Sequence, residues 1–217
     1  MSDLLKIHLE NFHIKNNAKF LPFAGYNMPI NYQTGIINEH LYVRNNVGVF
    51  DVSHMGQCLI PFNQDNINNL HKFMPLNLNN LKINRSKYSF LLNSSAGIID
   101  DIILSRILFD NKEFIFIVYN ASRKKNDEEI FKNIDNKSDF IFINDRCLLA
   151  IQGPLAYQVL KEILDIPNEM NFLDTIELEY MNEKLILSRS GYTGEDGFEL
   201  SIPFKISEFF LSNILKN

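Results

Sequence analysis

Apolar and polar positions follow two rhythms along this chain, and the switches between them mark out its elements. Apolar residues recur at helical spacing over residues 3–15, 35–46 (GIINEHLYVRNN), 64–73 and 122–135, and again from 205 to the last residue. The stretch QGPLAYQVLKEIL has the same spacing, with Pro154 expected in its first turn, where a missing N–H costs little. Strand-like runs fall at 56–62, 87–92, 98–109, 113–119, 139–144, 147–151, 184–190 and 197–202. The stretch FLPFAGYNMPINY, with two prolines and a glycine, predicts an irregular segment. Short strands interleaved with helices, without internal repeats, predict an α+β protein with mainly antiparallel sheets flanked by helices.

Composition narrows the function classes. A chain of 217 residues, 46% hydrophobic and 22% charged, can bury a core in one large domain or two small ones. A formal net charge of −5 points away from nucleic acid or an acidic membrane as partner. The densest basic cluster, Arg123-Lys124-Lys125, is followed at once by Asp127, Glu128 and Glu129, which predicts a solvated helix start. Cys58 and Cys147 stand far apart with no CxxC pair, so neither a disulfide framework nor a zinc site is expected, and a reducing compartment is. The five histidines lack the i, i+4 spacing of a helical metal site, and no metal is expected. No run is long enough to span a bilayer. The amphipathic start MSDLLKIHLENFHIKN carries acids and leads to no cleavage site, so it is expected to be the first helix of a cytoplasmic protein.

Three stretches hold candidate chemistry. Asp51-Val52-Ser53-His54 contains the residue types of a hydrolase triad, but neighbours on an extended segment point apart and no G-x-S-x-G elbow is present. Asp51 and Ser53 are expected to bond nearby backbone instead. In GYTGEDGFE, Gly191, Gly194 and Gly197 mark a sharp turn where positive φ is an option, followed by Glu199 between Phe198 and Leu200. By spacing alone, a plain hairpin with a solvent-facing glutamate is the simpler reading. The third stretch is AGIIDDIIL. On one strand, Ile99, Asp101, Ile103, Ser105 and Ile107 share a face, and Ile98, Asp100, Ile102, Leu104, Arg106 and Leu108 share the other. Both faces are mostly apolar and both are expected to be covered. Asp100 has Arg106 in its own row, too far for a sure pair, whereas Asp101 has no basic neighbour. The pattern singles out Asp101 as the harder to explain structurally, and leaves open that either acid caps a turn.

Taken in order, FLPFAGYNMPINY, VGVFDVSHMGQ, GIIDDIIL, LLAIQGPLA and SRSGYTGEDGFELSIP resemble the aminomethyltransferase (T-protein) family of the glycine cleavage system, from about residue 3 to the C-terminus. The resemblance implies a cloverleaf of domains around a folate channel. A folate-binding domain would take residues 1–55 and 142–217, and an inserted antiparallel α+β domain residues 56–141. It also implies that the chain is C-terminally truncated relative to the family, with part of the folate-binding domain and the C-terminal barrel absent. The implied reaction carries the one-carbon unit of an aminomethyl group, held on the lipoyl arm of the H-protein, to tetrahydrofolate, with release of ammonia. By the same resemblance Asp101 is the catalytic acid, bonding the N10 region of the folate, and Glu199 pairs with the pterin edge. Met55, Tyr88, Ile103, Asn120 and Tyr192 match positions lining the channel. Ala96-Gly97 stands where the family usually has two glycines. The alternatives are a folate-binding module without turnover and an inactive remnant.

Overall fold

In the computed structural model the described residues are 4–134 and 140–216. Ser2 is not part of any expected element; Asp3, Asp135, Asp139 and Asn217, which fall inside ranges expected to be helix or strand, lie outside the described residues. The N-terminal run does not form one helix. It divides into a short strand, β1 (Leu5–Lys6), and a helix, α1, confined to Glu10–Lys15. The segment expected to be irregular is a hairpin instead: β2 (Lys19–Phe23) and β3 (Tyr26–Asn31) pair across the Ala24-Gly25 turn, and β1 adds to β3 in parallel. The prolines are tolerated because of where they fall. Pro22 lies on the edge strand β2, and Pro29 lies past the two residues that β1 reaches and beside a register shift, so neither removes a ladder bond from a paired interior.

The helix expected over 35–46 is α2 (Ile36–Asn45). After it comes a strand that the pattern did not delimit, β4 (Gly48–Asp51). The next elements fall where the periodicity puts them: β5 (Gly56–Pro61), α3 (Gln64–Leu70), β6 (Arg85–Leu92), β7 (Ile98–Phe109), β8 (Lys112–Tyr119) and α4 (Lys124–Ile134). They are followed by β9 (Ile141–Phe142), β10 (Arg146–Gln152), α5 (Ala156–Lys161), β11 (Thr175–Tyr180), β12 (Glu183–Ser188), β13 (Gly197–Pro203) and α6 (Phe204–Ile214). β11 is not anticipated by the sequence pattern. Pro154 also sits earlier than expected, before the N-cap Leu155 rather than in the first turn of α5.

The described residues divide into two compact units. One takes those up to His54, Asp145–Phe172 and those from Leu178 on; the other takes those from Met55 to Asn144 together with Leu173–Glu177. In the first, the strands run β12-β13-β10-β4, with β10 pairing antiparallel to both β13 and β4. Leu149, Ile151, Leu187, Phe198 and Leu200 are fully buried there, as near-continuous apolar runs in central strands require.

The second unit has the antiparallel sheet β6-β7-β8-β5-β9. Its core joins Cys58, Ile60, Leu104, Ile117 and Tyr119 of the sheet to Ile67 and Leu70 of α3 and to Phe131 of α4. Gly56 is required by that packing: a Cβ on it would lie 1.9 Å from the ring of the buried Tyr119. Cys58 and Cys147 are buried free thiols.

Candidate active site

Strand parity separates the two adjacent aspartates. On β7, Asp100 is buried at 8% exposure, while Asp101 on the opposite face is exposed. The Asp101 face is not covered along its whole length, contrary to expectation: Ile99 and Ile103 are only partly buried, and Ser105 and Ile107 close over farther along. Arg106 does not serve Asp100. It forms a two-pronged bond to Glu113 on β8, with Nε at 2.9 Å and Nη2 at 2.6 Å from Oε2.

The partner of both aspartates is Asn120, the residue that follows β8. Its Nδ2 donates to Asp101 Oδ1 at 3.1 Å, to the Asp101 carbonyl at 3.1 Å and to Asp100 Oδ1 at 3.0 Å. Asp101 is therefore a carboxylate held in place from behind, with accepting capacity left toward solvent. Antiparallel pairing brings Tyr88 opposite Ile103 and Phe90 opposite Asp101, and the Tyr88 and Phe90 rings meet edge to face at 5.3 Å. Tyr88 is 56% exposed. Desolvation and the neighbouring Asp101 carboxylate hold its phenol above the usual value. Met55, partly buried just ahead of β5, accepts a 3.4 Å bond from Lys124 Nζ at its carbonyl. Asp101, Asn120, Tyr88, Ile103 and Met55 thus all belong to the second unit, with Asp101, Tyr88 and Ile103 on the neighbouring strands β6 and β7 and Asn120 just past β8.

Tyr192 and Glu199 belong to the first unit. The GYTGEDG turn is held by the fully buried Gln152 at the end of β10. Gln152 accepts from Tyr192 N at 3.1 Å and donates toward the carbonyls of Ser190 at 3.3 Å and Phe198 at 3.4 Å. Arg189 closes the loop base with a bidentate pair to Asp196. Of the three glycines only Gly194 has positive φ, at 89°. The other two are needed for space, since a Cβ would lie 2.2 Å from the Glu195 carbonyl at Gly191 and 2.3 Å from Gln152 at Gly197.

Glu199, in β13 between Ala150 and Ser188, is partly buried rather than solvent-facing. Burial pushes its carboxyl up to about 7, with the Ser190 side chain pulling the other way. Burial and Glu199 also raise the Tyr192 phenol. The consequence for stability has a definite sign. The unfolded glutamate releases its proton near 4.5 and the folded one near 7, so the stability linked to it is complete below pH 4.5 and is lost as pH rises toward 7. Urea unfolding is expected to give a lower midpoint at about pH 8 than at about pH 5, and Glu199→Gln is expected to reduce that difference. An unchanged difference in the variant would remove Glu199 as its source.

Elsewhere in the first unit, Asp51 accepts from the Ser53 backbone N–H at 2.9 Å, as expected, and also from the Ser53 hydroxyl, and it meets the buried His13 Nε2 at 2.9 Å. His13 Nδ1 is engaged by the Tyr32 hydroxyl at 2.7 Å. This histidine is far from Ser53 in sequence and its two ring nitrogens are both occupied, so the grouping is a buried polar network. Among the described residues, no group of three or more His, Cys, Asp or Glu side chains could hold a metal ion.

Comparison with known proteins places the chain in a family. The model of the GCVT N-terminal domain matches residues 9–217. The chain belongs to this family. It is 35% identical to the mitochondrial aminomethyltransferase of Dictyostelium discoideum over 97% of its own length and 55% of that protein's. It is 38% identical to an aminomethyltransferase of Clostridium botulinum over 92% of its length and 54% of the relative's. The crystal structure of glycine cleavage system aminomethyltransferase T from Bartonella henselae superposes with a TM-score of 0.88 at 36% identity, over 98% of this chain and 57% of the other. The chain spans about half the length of these relatives. The α+β fold with antiparallel sheets is that of the T-protein.

Two side chains near the candidate residues escape a reading by motif. Gln152 organises the glycine turn from a different strand, which nothing local announces. Asp127 stands in the acidic run taken for a solvated helix start, yet it is fully buried. Its signal is helical spacing: Asp127 lies four residues before the buried Phe131 and so on the apolar stripe of α4.

Proposed function

We propose that the chain acts in aminomethyl transfer to tetrahydrofolate, with aminomethyl-lipoyl H-protein as donor. The observation that carries this reading is family membership over residues 9–217, combined with an exposed carboxylate, Asp101, held from behind by Asn120. In the reaction, the methylene carbon leaves the lipoyl sulfur and the amine nitrogen and forms bonds to N5 and N10 of tetrahydrofolate. The two protons displaced from those nitrogens leave on the lipoyl thiol and on ammonia. Asp101 accepts from the N10 region and stabilises positive charge developing on the reacting amine. Glu199 accepts from the N–H donors of the pterin edge, for which adjacent carboxylate oxygens are matched. Tyr88, Ile103, Met55 and Tyr192 supply flat apolar contact and Asn120 polar contact.

Calorimetry with tetrahydrofolate and a one-carbon transfer assay with aminomethyl-lipoyl H-protein test the proposal together. Binding with formation of 5,10-methylenetetrahydrofolate is the expected result. Binding without transfer would make this chain a folate-binding module, and no binding would overturn the reading.

A further inference from the structure

Behind Asp101 lies a second pair of acids. Asp100 reaches into the interior of the second unit from β7, and Asp127 meets it from the first turn of α4, fully buried. The Asp100 carboxyl acts on Asp127 both as a side-chain hydrogen-bonding group and through its charge, and each raises the Asp127 carboxyl. Asp100 Oδ1 is taken by Asn120 at 3.0 Å and Asp127 Oδ1 is approached by Asn126 at 3.5 Å. Among the described residues, Asp100 Oδ2 and Asp127 Oδ2 are both buried and receive no N–H or O–H donor. Ionised carboxylates only accept, so two of them in contact away from water repel each other. One proton between them converts the repulsion into an O–H···O bond and accounts for both unpartnered oxygens.

The surroundings favour that proton. Among the groups acting on Asp127, Arg123 from the start of the same helix favours ionisation and the Asn126 side chain supports it. Asp100 opposes it from β7, and Tyr119 on β8 is a neutral phenol bonded to Glu128 at 3.1 Å. Lys124 is turned to the Met55 carbonyl and Glu128, and Tyr88 on β6 is the further titratable group that senses Asp100. We propose that Asp100 and Asp127 share one proton and that this pair, acting through Asn120, is a positioning device for Asp101. Burial first and Asp100 second push Asp127 up to about 7, which puts loss of the shared proton in the neutral range.

The coupling runs through one amide. Asn120 Nδ2 is divided between Asp100 Oδ1 and the Asp101 carboxylate. When Asp127 loses that proton to solvent, Asp100 loses an O–H donor and accepts more strongly from Asn120, drawing the amide off Asp101 Oδ1. The functional meaning of this device rests on the role proposed for Asp101; the shared proton does not.

The test is a pH titration of the full chain labelled with carboxyl-13C aspartate and side-chain-15N asparagine, followed by NMR. One proton is expected to stay on the Asp100–Asp127 pair below about pH 6 and to leave near pH 7, with the Asn120 amide shifting at the same midpoint. Asp127→Asn is expected to abolish both changes, and Asp100→Asn provides the assignment where that variant does not fold. Both carboxyls ionised throughout the range would overturn the proposal, and an Asn120 amide that does not follow the pair would overturn its link to Asp101. Tetrahydrofolate affinity is measured over the same range in the wild type and in Asp127→Asn, and because Glu199 titrates in both, the expected result is a steeper fall in the wild type than in the variant. If no folate binds while the NMR titration is as expected, the proposed function fails and the proton-sharing pair stands.

Discussion

Replacing Asp101 with alanine is expected to lower the rate of one-carbon transfer about 10²- to 10⁴-fold while leaving the fold intact. The size follows from the role proposed: Asp101 is the carboxylate aimed at the reacting nitrogen, and its loss removes charge stabilisation where charge develops. The small structural cost follows from position. Asp101 is exposed, and its Asn120 donor keeps the Asp101 main-chain carbonyl and Asp100 Oδ1 as acceptors. The change in unfolding free energy is therefore expected to stay within about 0.5 kcal/mol. Transfer rates with aminomethyl-lipoyl H-protein and urea unfolding of the same preparation check both halves. A variant that keeps the wild-type rate would dismiss Asp101 as the catalytic acid.

The largest expected structural effect is at Gly153, with Gly153→Ala losing about 3–5 kcal/mol. Gly153 has a φ of 132°, outside the range an alanine adopts comfortably. A Cβ there would also lie 2.2 Å from the carbonyl oxygen of Asn46, 2.8 Å from that of Val43 and 2.9 Å from Val47 Cα. These are backbone atoms at the end of α2 and cannot rotate aside. Gly153 N also donates to the Asp196 carbonyl at 2.8 Å, so the strain would pass into the glycine turn that carries Tyr192. Against the modest net stability of a folded chain, such a loss is a large part of the whole. A denaturant midpoint like that of the wild type would show that the crowding is relieved by a shift of the loop.

The predictable elements are those in which local and tertiary demands agree. α6 carries enough periodic residues for burial of one face to decide its type, and β5 and β8 are apolar runs buried on both faces, whereas α2 keeps its helical spacing although only Val43 of it is buried. The hairpin of β2 and β3 was hidden by its prolines, whose cost vanishes only at an edge and beside a register shift, and both are properties of the sheet. The helix expected from residue 3 gave way to β1 because Leu5 and Lys6 find strand partners in Tyr26 and Asn27, some twenty residues on. β11 is a different case: TIELEY carries the strand alternation locally, apolar at 176, 178 and 180 and acidic at 177 and 179, but over six residues only.

The sequence by itself determined that Asp100 and Asp101 lie on opposite faces, because side chains on a strand alternate whatever surrounds them. It likewise carried the family, through motifs whose order survives any local misreading. Which face is buried, and by what, only the tertiary structure decided. Asp127 is a charged residue in a charged run, and its neighbours along the chain predict solvent. It is buried because α4 packs that stripe against the sheet, bringing to Asp100 a partner that lies on another element. Burial and pairing are set by contacts between distant segments, and a pattern read along one segment cannot contain them.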